Sequence, residues 1–131
     1  IVKTGELQAV ELQGEIANLD TSYLQINVRN QPLELTFFGK LKFCYQNDMV
    51  TLDRSATEQT DLMKQFNGIR HVKVGKLDKV EIFFDRSIIE IFLNDGEKVM
   101  TSRFFISNRE NVVASSRPIV AQVAPVKPII F

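Results

Sequence analysis

The chain has 131 residues, with 16 Lys and Arg against 16 Asp and Glu. It therefore lacks the positive excess that displaces counterions from nucleic acid or holds a protein on an anionic membrane. Hydrophobic residues make up 44%, too many for a disordered chain, and the length suits one domain with a real core.

From the N-terminus, Ile1 stands where a start methionine would be, so the chain reads as processed or as a piece of something longer. The first residues include Lys3 and Glu6 and form no signal-peptide core. Leu24, Ile26 and Val28 alternate with Gln25, Asn27 and Arg29; Val50 and Leu52 alternate with Thr51 and Asp53. Alternation of period two marks half-buried strands. Segment 56–66 is either a helix, with Thr60 as N-cap and Gly68 as its stop, or a loop. Val72 and Val74 flank Lys73, and Val80, Ile82 and Phe84 share one strand face. Turn residues at 30–32, 46–48, 67–68, 94–96 and 107–111 separate these runs. Many short strands at this spacing mean a sandwich or barrel and leave no room for βαβ crossovers. Pro118, Pro125 and Pro128 confine the C-terminal stretch to an edge strand or an extended tail, because proline removes a ladder donor. No apolar run approaches the ~20 residues of a membrane span. The single cysteine, Cys44, excludes an intrachain disulfide and favours a reducing compartment, so a cytoplasmic location is expected.

Residues 77–105 read as three strands. The first covers 77–84, Asp85-Arg86-Ser87 turns, and the second runs Ile88–Leu93. Asn94-Asp95-Gly96 then closes a hairpin, since such turns need positive φ, and 98–105 returns. That register sets Glu90 opposite Thr101, with Arg103 diagonal to Glu90 on the same face. Ile88, Ile89, Ile91, Phe92 and Leu93 are apolar on both faces, so this strand is expected to be covered on both sides, by a second sheet on one face and by loops or another domain on the other. Leu52-Asp53-Arg54-Ser55 echoes Phe84-Asp85-Arg86-Ser87, which places the two at equivalent corners of two sheets.

Few residues offer catalytic chemistry. One His and one Cys cannot supply the four ligands of a structural zinc site, and His71 reads as a strand surface residue. No acidic loop motif supports calcium. His71 is the only histidine base for a triad; no G-x-S-x-G elbow or phosphate-binding glycine loop accompanies it. Asp85 and Glu90 form a carboxylate pair of the kind glycosidases use, and burial would raise the pKa of Glu90. The simpler reading is a core carboxylate neutralised by Arg103 or Arg86, whose loss would lower the melting temperature. Sugar stacking has little material: there is no Trp, and Tyr23 and Tyr45 are the two tyrosines. Phenylalanines such as Phe37, Phe38, Phe83, Phe84 and Phe92 follow the strand pattern and read as core.

The stretch Asp85-Arg86-Ser87-Ile88-Ile89-Glu90-Ile91-Phe92-Leu93-Asn94-Asp95-Gly96, followed by Thr101-Ser102-Arg103, resembles the C-terminal β-sandwich module of glycoside hydrolase family 32. The family includes invertases and bacterial sucrose-6-phosphate hydrolases. The upstream Asp53-Arg54-Ser55 is similar to an earlier turn of the family. The resemblance implies an all-β, two-layer antiparallel β-sandwich of jelly-roll or lectin-like type over residues 1–131. It also implies that the chemistry resides in an N-terminal five-bladed propeller, with its nucleophile in an N-D-P box, a stabilising aspartate in R-D-P and its acid in E-C. None of these boxes occurs: Asn47-Asp48 precedes Met49, Cys44 follows Phe43, and Arg117-Pro118 lacks the aspartate. No catalytic, cofactor or metal residue is assigned. Structural roles are expected for Asp53, Arg54, Ser55, Asp85, Arg86, Ser87, Glu90, Asn94, Asp95, Gly96 and Arg103. The expected function is a non-catalytic module that stabilises its own propeller and supports homodimer formation. The alternative is a carbohydrate-binding module that recruits sucrose or fructan. Neither nucleic acid nor membrane is expected as a partner.

Overall fold

The alternating runs build thirteen strands in the computed structural model, which describes residues 2–3, 7–57 and 68–127. In chain order they are β1 (Val2–Lys3), β2 (Gln8–Glu11), β3 (Gly14–Glu15), β4 (Ser22–Asn27), β5 (Leu33–Phe37), β6 (Leu41–Gln46) and β7 (Met49–Asp53). There follow β8 (Ile69–Lys73), β9 (Lys79–Asp85), β10 (Ile88–Leu93), β11 (Lys98–Arg103), β12 (Val112–Ser115) and β13 (Val120–Lys127). A 3₁₀ turn, Leu19–Thr21, leads into β4. Among the described residues no helix is long and apolar enough to cross a membrane. The segment 56–66 falls almost entirely outside the described residues.

The first sheet has the order β1-β13-β4-β9-β10-β11, with β2 also paired to β13. The second has the order β3-β12-β5-β6-β7-β8. All described pairings are antiparallel, and the two sheets form the expected β-sandwich. Period two sends Leu24, Ile26, Val80, Ile82, Phe84, Ile89, Ile91, Leu93 and Met100 inward from the first sheet. They meet Leu33, Leu35, Phe37, Leu41, Phe43, Tyr45, Val50 and Leu52 from the second. Removing these side chains from water is the main force holding the layers together.

An aromatic cluster closes one end of the core. Phe84 meets Phe37 at 5.0 Å and Phe38 at 5.2 Å between ring centroids, while Phe38 stacks on Phe104 at 5.6 Å. Arg109 lies over two of these rings, 5.0 Å from Phe38 and 4.9 Å from Phe104. Its guanidinium donates to the Arg86 carbonyl and stands 4.0 Å from Asp20 Oδ2. Burial holds the Arg109 pKa below its ordinary value, against the opposing pull of Asp20.

The edge strands β8 and β11 are tied together by side chains, with Arg54, just past the end of β7, adding to the link. Arg70 donates to the Thr101 carbonyl at 2.7 Å, and Arg54 to the Arg103 carbonyl at 2.9 Å. Lys98 returns a bond to the Lys73 carbonyl at 2.7 Å. Burial, and then the neighbouring Arg70, lower the pKa of Arg54.

The C-terminal stretch departs from the sequence expectation. β13 is neither an edge strand nor a tail: it runs inside the first sheet between β4 and the pair β2 and β1. The prolines permit this because of where they fall. Pro118 precedes the strand, and Pro125 sits where the flank changes from β2, paired to Val120–Val123, to β1, paired to Val126 and Lys127. Pro128 lies outside the described residues.

Candidate functional site

The distinctive motif occupies β9, β10 and β11. Asp85 pairs with Ile88, so Arg86 and Ser87 form a two-residue turn, with Arg86 at φ 58°. The Arg86 N–H donates to the Asp20 carbonyl at 2.6 Å. Glu90 pairs with Phe83 on one side and Thr101 on the other, the register expected from the hairpin.

The pleat then decides what each residue faces. Ile89, Ile91 and Leu93 enter the core, so Ile88, Glu90 and Phe92 point outward and are half-buried. Glu90 is therefore not a core carboxylate. The described ion pairs are Lys79–Glu81, Lys79–Asp95 and Arg109–Asp20, so Glu90 is paired with neither Arg103 nor Arg86. Ile88 and Phe92 share the outer face with Glu90, and within this chain that face is half-buried, not covered by a second layer. Phe83, expected in the core, also lies on the outer face. It is half-buried outside the core, 4.7 Å from Tyr23 and 5.6 Å from Phe92. Glu90→Ala is accordingly expected to change the stability of this chain by less than about 0.5 kcal/mol, as for other surface substitutions. Urea denaturation checks it, and a loss above 1 kcal/mol would restore the buried pair.

Asn94 does more than turn the chain. Asn94, Asp95 and Gly96 all have positive φ, at 51°, 59° and 89°. Asn94 Oδ1 accepts from the N–H groups of Asp78 at 2.9 Å and Lys79 at 3.3 Å, and its Nδ2 donates to the Lys76 carbonyl at 2.7 Å. Asp95 accepts from Lys79 Nζ at 2.7 Å, and this bond raises the Lys79 pKa. These bonds explain why β9 begins at Lys79 rather than at Leu77.

The two echoed tetrads sit at strand ends in different sheets, but their geometries differ. Asp53 Oδ1 accepts from the Ser55 N–H at 2.8 Å and the Ser55 hydroxyl at 2.5 Å. Gly68, at φ 64°, packs against that corner so closely that a Cβ would stand 3.3 Å from the Ser55 nitrogen. Arg54 spans to β11, whereas Arg86 is an exposed turn residue.

The remaining groups are dispersed. Cys44, Thr51 and His71 stand in one cross-strand row on the outer face of the second sheet, with Thr51 Oγ1 2.9 Å from His71 Nδ1. Two strand spacings, about 9–10 Å, separate Cys44 from His71, so no thiolate–imidazole pair forms. Burial, and then Glu34, push the Cys44 thiol pKa up, away from the reactive thiolate. Among the described residues no three His, Cys, Asp or Glu side chains converge to hold a metal ion. Tyr23 and Tyr45 are 1% and 4% exposed. The Tyr23 hydroxyl donates to Glu81 Oε2 at 2.7 Å; burial first, and then this bond, hold the phenol pKa well above its ordinary value. The Tyr45 hydroxyl lies 2.8 Å from the Gly75 carbonyl. Neither ring offers a face to a sugar. A concavity of about 470 Å³ opens beside Val10, Ile16, Ser22 and Val123 without an aromatic wall. Neither Asp85 nor Glu90 lines it, nor do they line three smaller ones among the described residues.

Comparison with known proteins accords with this architecture. The model of the family "Glycosyl hydrolases family 32 C terminal" matches residues 3–122. Sucrose-6-phosphate hydrolase of Staphylococcus xylosus is 30% identical over 106 residues, covering 81% of this chain and 21% of that protein. The Klebsiella pneumoniae enzyme of the same name is 37% identical over 73 residues, covering 56% and 14%. The chain thus spans only a small part of these relatives. Sucrose-6-phosphate hydrolase from Lactobacillus gasseri superposes with a TM-score of 0.69 at 19% identity, over 92% of this chain and 28% of that one. Exo-inulinase from Aspergillus awamori superposes with a TM-score of 0.62 at 17% identity, over 96% and 26%. At these identities the likeness shows the fold, and the match of the family model along nearly the whole chain shows the family: this chain belongs to the C-terminal domains of family 32 glycosyl hydrolases.

Proposed function

We propose that this chain is the C-terminal module of a longer hydrolase acting on sucrose 6-phosphate. Its own work is non-catalytic: it packs onto the N-terminal catalytic propeller and stabilises it. The observation that carries this reading is a family match spanning residues 3–122 in a chain whose alignment covers only 21% of the Staphylococcus xylosus enzyme. Relatives from Klebsiella, Lactococcus and Staphylococcus share the name sucrose-6-phosphate hydrolase, which favours the phosphorylated sugar over fructan. The dispersed side chains agree with a non-catalytic role. Asp85 and Glu90 line none of the four described concavities. A lone cysteine and a charged, phosphorylated substrate both favour the cytoplasm.

The test is direct. The purified chain is expected to release no hexose from sucrose or sucrose 6-phosphate, while the parent containing it turns the phosphorylated sugar over. Turnover by the chain that disappears in Glu90→Gln would overturn the reading. Calorimetric titration with sucrose and fructan addresses the sugar-recruiting alternative, which saturable binding at or below about millimolar would favour.

A further inference from the structure

We infer that Arg54 and Arg70, on the edge where side chains link β8 to β11, form a binding site for a phosphate group, inorganic or carried by a sugar. The site is present whatever substrate the parent hydrolyses, so it does not depend on the function proposed above.

The first observation is an orphaned donor. Arg54 Nε is buried and has no hydrogen-bond partner. A buried N–H left unpaired costs free energy, which an acceptor brought to it restores. The guanidinium is a planar fork. Nη1 lies on the side of Cδ, while Nε and Nη2 share the opposite edge, whose parallel N–H groups match two oxygens of one oxyanion. Arg54 spends Nη1 on the Arg103 carbonyl, 2.9 Å away, and among the described residues nothing takes its Nε–Nη2 edge.

The second is a matching neighbour. Arg70 pairs with Leu52 across β7 and β8, two positions before Arg54, which brings both arginines to one corner. Its Nη1 is likewise spent, on the Thr101 carbonyl at 2.7 Å. Thr101 and Arg103 are two residues apart on β11, so the two anchoring carbonyls stand about 7 Å apart. A tetrahedral oxyanion reached from both sides by N–H···O bonds of about 2.8 Å fits a gap of that width. Each arginine is already held by a backbone acceptor, so binding costs little further side-chain freedom. Arg54 is half-buried and Arg70 exposed, so the pair is approached from the Arg70 side.

The third is charge of one sign. The described ion pairs, Lys79–Glu81, Lys79–Asp95 and Arg109–Asp20, include neither arginine. The carboxylate next to Arg54 in the chain, that of Asp53, is turned to the N–H and hydroxyl of Ser55. Arg54 registers its neighbour: burial first, and then the positive charge of Arg70, hold its pKa below the ordinary value. Two cations at a partly buried corner repel, and a dianion between them turns repulsion into attraction. That selects phosphate over a singly charged carboxylate.

The Arg54 Nε–H signal in proton–nitrogen NMR reads the site in the unsubstituted chain, with Arg54→Lys serving only to assign it. Inorganic phosphate is expected to shift this signal to saturation, half complete at about 1–10 mM, while sodium chloride of matched ionic strength leaves it in place. No shift with phosphate, or an equal one with chloride, would overturn the site. Acetate is expected to bind at least fivefold more weakly, and equal affinity would overturn the assignment to phosphate. Glucose 6-phosphate titrated beside inorganic phosphate separates the two sources; saturation by either supports the site, and a shift with glucose alone counts against it. Arg70→Gln is expected to weaken phosphate binding at least fivefold. Arg29→Gln removes an exposed positive charge elsewhere and is expected to change it less than twofold. Equal losses in the two variants would mean that net charge alone draws the anion, which overturns the site.

Discussion

Phe84→Ala is expected to lower the unfolding free energy by about 3–5 kcal/mol, the largest effect of any single truncation considered. The ring is fully buried and touches Phe37, Phe38 and Phe104. It belongs to the first sheet and Phe37 to the second, so the contact joins the layers. Truncation removes the transfer free energy of the ring and leaves a void walled by rigid aromatics that cannot collapse into it. Domains of this size are stable by only about 5–15 kcal/mol, so the variant sits near the edge of folding. Urea denaturation reads the loss as a lower midpoint at constant slope. A loss below 1 kcal/mol would show that the cluster does not join the sheets.

Arg109→Ala follows, with an expected cost of about 2–3 kcal/mol. The side chain covers the faces of Phe38 and Phe104 and donates to the Arg86 carbonyl. Alanine uncovers both rings and leaves that carbonyl without this donor. Arg109→Lys separates charge from shape. Lysine keeps the cation but lacks the planar group that lies flat on a ring, so it is expected to recover less than half of the loss. Full recovery by lysine, or a loss that disappears in 1 M salt, would instead assign the effect to Asp20, 4.0 Å away.

The hairpin Ile88–Leu93 to Lys98–Arg103 was legible down to its register, because alternation and a positive-φ turn are local signals. The destinations of Phe83 and Phe92 were not. Alternation says which residues share a face, but where both faces carry apolar residues it cannot say which one meets the second sheet. That choice depends on the distant strands β5 to β7. The same limit hid the fate of Glu90: register put Arg103 within reach, but an exposed arginine has water as a competing partner. The interior place of β13 is not legible from its prolines, because the proline rule is local, whereas the change of flank at Pro125 is set by β1 and β2 at the other end of the chain. Nothing near Arg109 announces Phe38, whose place over the core end depends on its own left-handed φ of 57°. The absence of the catalytic boxes, in contrast, was plain from single residues: Met49 after Asn47-Asp48, and Phe43 before Cys44.

The ties between β8 and β11 bear on solubility. A bare edge strand offers its carbonyls and amides to any passing chain, and this is how folded β proteins begin to grow cross-β assemblies. Here the outward carbonyls of Thr101 and Arg103 are already taken by Arg70 and Arg54. Another strand would have to displace two arginines from bonds of 2.7 and 2.9 Å before it could register. The opposite margin of the second sheet ends in β3, a strand of two residues, and that of the first is divided between the short β1 and β2. The sandwich is thus blunted against fibril growth at the margins of its sheets, which keeps newly made copies of the module apart.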